Sequence, residues 1–287
     1  MKRQTKAKLN LCLHIERRLP NGYHMLQSIV AFCDVGDMIE ITAADDISND
    51  ISLEVTGRFA QELSENNIII KSAHALQHYS TMQSGQGAHI MLEKNLPVSS
   101  GIGGGSGDAA ITLQLLNQLW QCGLSDAQLA EIGLQIGADV PACLYGKICY
   151  MSGIGENISP LSHAQLQSSY DGLYAVLINP LISISTKDIF AKLPPPEYDA
   201  NIIWHDDFLA TIRANSNHLQ QIAISECDAI ATIISYLQSQ PQTLIARMSG
   251  SGATCFALCE TADLAHELMR HAIKYFPNYW VACGAIS

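Results

Sequence analysis

The sequence has few charged residues, and basic residues are the scarcer kind. Only 15% of its 287 residues are charged, and 16 Lys and Arg stand against 27 Asp and Glu, which gives a formal net charge of −11. No basic block occurs along the chain, so nucleic acids and anionic membranes are disfavoured as partners. A protein of this charge that binds a phosphate group must do so locally, with backbone amides and a few placed cations.

Three further features are missing. The nine cysteines form no CxxC pair and have no zinc-ligand spacing, which predicts buried, reduced thiols. The basic start MKRQTKAK is followed by a short apolar stretch that contains Asn10 and His14, so no secretory signal is predicted. No apolar run reaches transmembrane length. We therefore expect a cytoplasmic protein that binds neither nucleic acid nor membrane. The expected assembly is a monomer or weak homodimer.

The strongest local signal is a glycine-rich loop from Gly101 to Gly107. Glycine lets the backbone approach a ligand closely. The loop leads into a predicted helix, whose apolar residues recur at three- and four-residue steps: Ala109, Ala110, Leu113, Leu116 and Trp120. Such a loop directs several N–H groups, and the positive end of the helix dipole, at one point. The pattern predicts a phosphate site rather than a flexible linker.

Two common phosphate-binding loops do not fit this stretch. A P-loop has Lys and then Ser or Thr after its last glycine, whereas this chain has Gly107 and Asp108 at that place. The dinucleotide fingerprint GxGxxG is matched by Gly101 and Gly103, but Ser106 replaces its last glycine. Because the loop also lies after several predicted strands, a Rossmann dehydrogenase is a poor alternative.

Polar residues near the N-terminus form two further candidates. Residues 8–15 alternate in polarity and predict a half-buried strand, with Lys8 and Asn10 on one face about 6–7 Å apart. Periodicity alone leaves open whether this face is solvated. Tyr23 and His24 follow a turn, where they could flank a planar ligand or form ordinary surface.

Asp139 is the candidate in the middle of the chain. It follows a predicted helix that opens with a capping box of Ser125 and Gln128. We expect that helix to stop at Gly137, and Pro141 to prevent it from resuming. A carboxylate among small and apolar residues indicates either a site or a simple turn or cap residue.

Strands and helices occur in mixed order on both sides of a turn-rich stretch near residues 152–165. This order predicts an α+β fold with two domains, residues 1–155 and 156–287. In the second part, predicted strands at 244–248 and 253–258 flank a tight glycine turn, Ser249–Gly252.

Three separated motifs then coincide. KAKLNL at 6–11, LPVSSGIGGGSGDAA at 96–110 and RMSGSGATCF at 247–256 resemble, in order and spacing, the signature regions of the GHMP small-molecule kinases. Further stretches, among them NGYHMLQS, NNIIIKSAHAL and SGIGE, resemble the branch of that family whose acceptor carries a cytidine diphosphate group. The resemblance covers nearly the whole chain and is weakest over about 191–245.

The resemblance implies a fold, a reaction and a set of residues. The expected domains are an N-terminal ribosomal-protein-S5-like ATP-binding domain and a C-terminal ferredoxin-like substrate-binding domain. The expected reaction transfers the γ-phosphoryl group of ATP, with Mg²⁺, to a hydroxyl of a small molecule with a cytidine diphosphate group. Lys8 and Asp139 match the catalytic pair, and no residue is assigned as a metal ligand.

The remaining implied residues divide between the two ligands. The expected substrate contacts are Asn10, Tyr23, His24, Thr186 and Phe190, with Tyr23 and Phe190 as aromatic faces for the cytosine. The expected ATP contacts are Lys94, just ahead of the loop, and the loop itself: Pro97, Val98, Ser99, Ser100, Gly101, Ile102, Gly103, Gly104, Gly105, Ser106 and Gly107.

The chain also departs from the family in the loop. Where the family commonly has two serines and then Asn or Ala, this chain has Ser106, Gly107 and Asp108. Asp108 adds a carboxylate near the expected triphosphate. Its charge suits the start of a helix but repels phosphate unless a cation lies between. We therefore expect positive charge from Lys8, Lys94 and Mg²⁺.

Overall fold

The computed structural model describes residues 1–44, 50–63, 67–79, 87–161, 172–194 and 201–287. The strands are β1 (Lys2–Gln4), β2 (Ala7–Arg18), β3 (His24–Cys33), β4 (Met38–Ala43), β5 (Ile51–Thr56), β6 (Ala88–Glu93), β7 (Cys149–Gly153), β8 (Asn157–Pro160), β9 (Tyr174–Asn179), β10 (Ile245–Met248), β11 (Cys255–Cys259) and β12 (Trp280–Ala285). The helices are α1 (Ile68–Tyr79), α2 (Gly104–Leu119), α3 (Asp126–Ile136), α4 (Val140–Tyr145), α5 (Thr186–Ala191), α6 (Phe208–Ala214), α7 (Gln220–Glu226), α8 (Asp228–Gln238) and α9 (Ala262–Tyr275), with a 3₁₀ turn at Ala60–Glu62.

The chain forms two compact units, and each draws on several segments. The first unit contains residues 1–7, 36–98 and 103–146, and the second contains residues 8–35, 99–102 and 147–287. Both units combine helices with sheets, so the predicted α+β class is confirmed. The domain boundary at residue 155 stays a prediction.

The first unit is a four-stranded sheet covered by helices. Its strand order is β1-β4-β6-β5, with β6 antiparallel to β4 and parallel to β5. Residues of β6 alternate strictly between buried and exposed, as expected for a sheet with one covered face. Ile39, Ile90 and Leu92 of the sheet form one core cluster with Leu113 and Leu116 of α2. This packing holds the start of α2 in place.

Two helices of the first unit test the sequence analysis directly. The predicted capping box is present, because the Ser125 side chain accepts from the Gln128 N–H and the Gln128 side chain accepts from the Ser125 N–H. The expectation that Pro141 prevents further helix is wrong. A new helix, α4, has Pro141 in its first turn, where no intrahelical N–H bond is needed.

The second unit contains two sheets. One has the order β2-β3-β7-β8 and the other the antiparallel order β10-β11-β9-β12. In the second sheet the chain runs β9, helices, β10, β11, α9, β12. This sequence and strand order are those of the ferredoxin-like arrangement that the resemblance implied.

Strand β2 differs from the sequence prediction in its burial. All residues from Ala7 to Ile15 are buried, so the strand is covered on both faces rather than one. Lys8 is 3% exposed and Asn10 is 1% exposed, which removes the alternative of a solvated face. Since buried polar groups must be hydrogen-bonded, these two side chains need specific partners.

Among the helices described, none has the combined length and hydrophobicity that crossing a membrane requires.

Candidate active site

In the second unit, three stretches that are distant in sequence meet around Lys8 and Asn10. The Lys8 N–H donates to the carbonyl of Ile102 at 2.8 Å, and the Asn10 N–H donates to the Ser249 hydroxyl at 3.1 Å. The same hydroxyl donates to the carbonyl of Gly101 at 3.0 Å. Each of the three signature motifs therefore contributes to one hydrogen-bonded cluster within this unit.

Glycine allows two backbone turns to approach each other in this cluster. Gly101 has φ +77°, and a Cβ there would lie 2.6–2.9 Å from backbone atoms of Ser249 and Gly252. Gly250 has φ +56°, and a Cβ there would lie 2.8 Å from the Gly101 carbonyl oxygen. Neither position has room for a side chain, so the glycines of the second and third motifs are required by this contact.

The side chains of Lys8 and Asn10 are held by hydrogen bonds. Lys8 Nζ donates to Asn10 Oδ1 at 3.3 Å, and Asn10 Nδ2 donates to the Ser28 hydroxyl at 2.8 Å. Ser28 in turn donates to the carbonyl of Cys12 at 2.6 Å. Ser28, which the sequence analysis did not select, thus completes the orientation of a predicted substrate residue.

Asn217 and Arg247 also support this region, and neither was predicted as a site residue. Asn217 Nδ2 donates to the carbonyls of Met248 and Gly250 at 2.9 and 2.8 Å. The Arg247 guanidinium donates to the carbonyls of Leu11 and Ile212. Both side chains hold backbone in place. Arg247 lies inside the third motif, whereas Asn217 lies outside all three motifs.

The predicted substrate residues at the start of β3 and in α5 lie in the same unit. The rings of His24 and Phe190 are 5.1 Å apart at an interplanar angle of 38°. Burial, and then the charge of Arg18, lower the pKa of His24, so its ring is neutral near pH 7. The Tyr23 side chain is 57% exposed. The structure thus pairs Phe190 with His24 and leaves the Tyr23 ring accessible.

Thr186 connects α5 to the third motif. Its hydroxyl lies 2.8 Å from the hydroxyl of Ser251. Ser251 is buried and belongs to the turn that contacts Asn10 and Gly101 through Ser249. The predicted substrate residue Thr186 is therefore adjacent to the motif cluster, and Ser251 is a second polar group there that the sequence analysis did not select.

The first unit holds the later part of the glycine loop. Gly103 has φ +65° and stands as the N-cap of α2, which begins at Gly104. No side chain caps this helix end, so the N–H groups of its first turn are available to an anion. Gly104, Gly105 and Ser106 are half-buried. The phosphate site inferred from the glycine pattern stays a prediction for this helix start.

Lys94 does not have the surroundings expected of a nucleotide contact. It is 2% exposed, and its Nζ lies 2.5 Å from Asp37 Oδ2 and 2.7 Å from Asp108 Oδ2. We call these three residues the acidic-lysine cluster. The Lys94 ammonium group is thus already paired within the protein, and its assignment as a nucleotide contact stays a prediction. Asp37 was not predicted.

The two carboxylates of the acidic-lysine cluster have different surroundings. Burial raises the pKa of Asp108 to about 8, the ammonium group of Lys94 opposes this shift, and the charge of Asp37 adds to it. Burial alone would lower the pKa of Lys94, but the two carboxylates outweigh burial and raise it. Lys94 is therefore charged, and Asp108 is the group that holds a proton near neutral pH.

Asp139 stands at the start of α4 in the first unit. It occupies the N-cap position, and its side chain makes no capping hydrogen bond. Its carbonyl accepts from the Cys143 N–H at 3.1 Å, so the backbone starts the helix without the half-buried carboxylate. The capping role that the sequence left open is therefore not the role of this side chain.

Comparison with protein families places these features in one class of enzyme. Residues 67–147 match the family described as GHMP kinases N terminal domain, and residues 205–278 match the family described as GHMP kinases C terminal. The first segment contains the glycine loop and Asp139, and the second contains the Ser249–Gly252 turn.

Individual relatives identify the branch of the GHMP kinases to which the chain is most similar among those compared below. A 4-diphosphocytidyl-2-C-methyl-D-erythritol kinase of Cereibacter sphaeroides is 40% identical over 96% of this chain and 95% of its own length. A crystal structure of 4-(cytidine 5'-diphospho)-2C-methyl-D-erythritol kinase matches with a TM-score of 0.77 and 25% identity, covering 100% of this chain and 99% of that one. The chain therefore belongs to the 4-diphosphocytidyl-2-C-methyl-D-erythritol kinase family of the GHMP kinases. A homoserine kinase from Cytophaga hutchinsonii, at 18% identity and a TM-score of 0.71 over 100% of this chain and 94% of that one, shares the fold.

Proposed function

We propose that this protein transfers the γ-phosphoryl group of ATP to the 2-hydroxyl of 4-diphosphocytidyl-2-C-methyl-D-erythritol, giving the 2-phosphate and ADP in the methylerythritol phosphate route to isoprenoid precursors. The observation that carries the proposal is the meeting of the three motifs around Lys8 and Asn10. The proposal is also supported by relatives named as kinases of this cytidylylated acceptor, which match nearly the whole chain.

Phosphoryl transfer depends on positioning and charge neutralisation more than on covalent chemistry. The uncapped first turn of α2 is suited to bind phosphate oxygens of ATP. Mg²⁺ in kinases is held largely by phosphate oxygens and water, with one or two carboxylates. The described residues contain no group of three or more His, Cys, Asp or Glu placed to hold a metal.

Lys8 and Asp139 would act on the acceptor hydroxyl. Asp139 would orient this hydroxyl and accept its proton as the bond to phosphorus forms. A carboxylate is a weak general base, so the transfer of the proton comes late. The Lys8 ammonium would offset the charge that develops on the attacking oxygen. The hydrogen bond from Lys8 to Asn10 keeps this ammonium in one place.

The acceptor would be recognised by its cytosine. Tyr23 and Phe190 are the proposed aromatic faces, His24 would hydrogen-bond the base, and Asn10 and Thr186 would contact the polar part of the acceptor. The neutral His24 ring can both donate and accept a hydrogen bond, as an edge of cytosine requires. Smaller acceptors such as homoserine need none of these aromatic groups.

The proposal is tested by ADP release from purified protein with ATP, Mg²⁺ and a panel of acceptors. The panel contains 4-diphosphocytidyl-2-C-methyl-D-erythritol, homoserine, mevalonate and galactose. We expect turnover with the first compound and none above background with the others. Mass spectrometry of the product should show one added phosphoryl group. Turnover with homoserine or galactose, and none with the cytidylylated compound, would overturn the proposal.

A further inference from the structure

We propose that the acidic-lysine cluster of Asp37, Lys94 and Asp108 positions the glycine loop for the triphosphate, and that Asp108 takes up a proton from solvent when ATP binds. The inference rests on the ATP site proposed above. It assigns a role to a buried charged group that the proposed chemistry does not otherwise use.

The cluster lies directly beneath the start of α2. A Cβ placed on Gly104, the first residue of that helix, would be 3.3 Å from Lys94 Nζ. Asp108 is in the second turn of the same helix. Asp37 Oδ1 accepts from the N–H groups of Asn95 and Leu96 at 2.6 and 2.8 Å. The cluster therefore connects the chain that leads into the loop with the helix that follows it.

The two carboxylates differ in how well they are satisfied. The two oxygens of Asp37 accept three hydrogen bonds, from Lys94 and from the two backbone N–H groups. Asp108 Oδ2 accepts from Lys94, but its Oδ1 is buried and has no hydrogen-bond partner among the described residues. A buried carboxylate oxygen without a donor is costly. Protonation removes its charge, so Asp108 is the member of the cluster that titrates.

The charge of the cluster depends on this proton. With both carboxylates ionised the cluster carries a net charge of −1, and with Asp108 protonated it is neutral. Among the described residues, the charged groups that act on Asp108 are Lys94, which follows β6, and Asp37, which precedes β4.

A triphosphate at the start of α2 would favour the neutral cluster. At an effective dielectric constant near 20, one negative charge about 8 Å away shifts the pKa of a carboxyl by on the order of one unit upward. Because Asp108 titrates near pH 8 in the free protein, this shift has most effect in mildly alkaline solution. ATP binding and proton uptake are then linked in both directions.

The experiment is calorimetric titration of the full chain with Mg²⁺-ATP in two buffers of different ionisation enthalpy. The difference in heat gives the number of protons taken up. For a shift of about one unit from a pKa of about 8, we expect uptake of about half a proton at pH 8.5 and almost none at pH 6.5. The apparent Kd for ATP should rise about fivefold between pH 7 and pH 9.

Asp108→Asn keeps the shape of the side chain and removes the titration. In this variant the proton uptake at pH 8.5 should be lost and the Kd should be nearly independent of pH. Asp126→Asn is the matched control, because Asp126 is an exposed carboxylate in the first turn of α3; it should behave as the wild type. The difference in proton uptake between the two variants removes the contribution of the nucleotide and the buffer, which is the same in both.

The outcomes separate this inference from the proposed function. Failure of the wild type to bind ATP would overturn the proposed function. Binding without proton uptake at pH 8.5, or equal uptake by Asp108→Asn, would overturn the inference and leave the proposed function standing. If Asp108→Asn does not fold, the wild-type Kd decides, since a Kd that stays constant from pH 7 to 9 excludes the linkage.

Discussion

At the scale of single residues, Asp139 carries the most weight in the proposed chemistry. Its side chain does not cap α4, although an Asp at that position commonly would. We expect Asp139→Asn to lower kcat by about 10²- to 10⁴-fold, since a well-placed general base contributes that much. The Kd for ATP should change little. Steady-state kinetics with the cytidylylated acceptor and calorimetry with ATP measure the two quantities.

Asp228→Asn is a suitable control for this variant. Asp228 is an exposed acidic residue in the first turn of α8, so the substitution makes the same change of charge away from the proposed chemistry. Its kcat should stay within about twofold of the wild type. A near-normal kcat for Asp139→Asn would remove this carboxylate from the reaction.

Tyr23 is the residue that tests recognition of the cytosine. Its ring is 57% exposed, so removal should cost little stability. Loss of one stacked base is worth about 1 to 3 kcal/mol, and we expect Tyr23→Ala to raise KM for the acceptor by about 5- to 100-fold. The KM for ATP and kcat should change much less, as parallel substrate titrations will show.

A second exposed tyrosine provides the comparison. Tyr79, at the end of α1, is 42% exposed, and Tyr79→Ala should leave both KM values unchanged. If Tyr23→Ala instead raised KM for ATP, the assignment of Tyr23 to the acceptor would be wrong.

At the scale of elements, the contact between the glycine loop and the Ser249–Gly252 turn makes a sharp prediction. Gly101→Ala places a methyl group 2.6 Å from the Ser249 carbonyl oxygen and adds the cost of φ +77°. Positive φ alone costs a non-glycine residue roughly 1–2 kcal/mol. We expect the variant to lose more stability than the positive φ alone would cost. We also expect it to lose most of its kinase activity. Urea unfolding and ADP release measure the two effects.

Gly123→Ala isolates the backbone strain. Gly123 has φ +67°, and a Cβ there would have nothing within 4 Å. Its loss of stability should therefore reflect φ alone, and its activity should be retained. Equal behaviour of Gly101→Ala and Gly123→Ala would show that the contact at Gly101 contributes nothing beyond φ.

The same elements show how far sequence reasoning reaches. The start of α2 and the capping box of α3 were predictable because both depend on neighbouring residues, namely glycines before an apolar helical pattern and Ser125 with Gln128. Strand β3 was not predicted. Its sequence, HMLQSIVAFC, is nearly all apolar toward its end and lacks the alternation that identifies a half-buried strand. Tertiary burial, which periodicity does not record, determines this element.

The candidate site shows a similar division. The motif residues Lys8, Asn10 and Gly101 were predictable because their spacing resembles a known family. The supporting residues were not predictable, since Asp37 and Ser28 act through partners far away in the sequence, such as Lys94 and Asn10. Nothing local distinguishes them from ordinary polar residues. The ion pairs of Lys94 were not predictable for the same reason, because its two carboxylate partners are visible only in the folded chain.

At the scale of the whole molecule, the half-buried His218 and the buried Asp108 make the free energy of unfolding depend on pH in opposite directions. Burial, and then the neighbouring His14, lower the pKa of His218 to about 4; the two rings stack at 4.3 Å, and the Ile15 N–H donates to His218 Nδ1. The folded state therefore binds fewer protons at His218 than the unfolded state. This stabilising contribution is present above about pH 6.5 and is lost as the pH falls through about 4.

The contribution of Asp108 to the free energy of unfolding changes with pH in the opposite direction. Its pKa in the folded state is about 8, well above its ordinary value of 3.8, so the folded state binds more protons. The contribution is complete below about pH 4 and is lost as the pH rises through about 8. Between pH 4 and 6.5 the two groups oppose each other. Between pH 6.5 and 8 Asp108 acts without this opposition, and stability should fall.

Urea unfolding of the wild type, Asp108→Asn and His218→Asn at pH 4.5, 6.5 and 8.0 separates the two contributions. From pH 6.5 to 8.0 the wild type should lose about 1–2 kcal/mol relative to Asp108→Asn, because the linkage is worth about 1.4 kcal/mol per pH unit and declines near the folded-state pKa. From pH 6.5 to 4.5 the wild type should lose stability relative to His218→Asn, since only in the wild type does the unfolded state gain a proton at residue 218 that the folded state does not bind. Asn at residue 218 retains an acceptor for the Ile15 N–H. If both differences are independent of pH, neither group titrates between folded and unfolded states, and the acidic-lysine cluster cannot couple proton uptake to ATP.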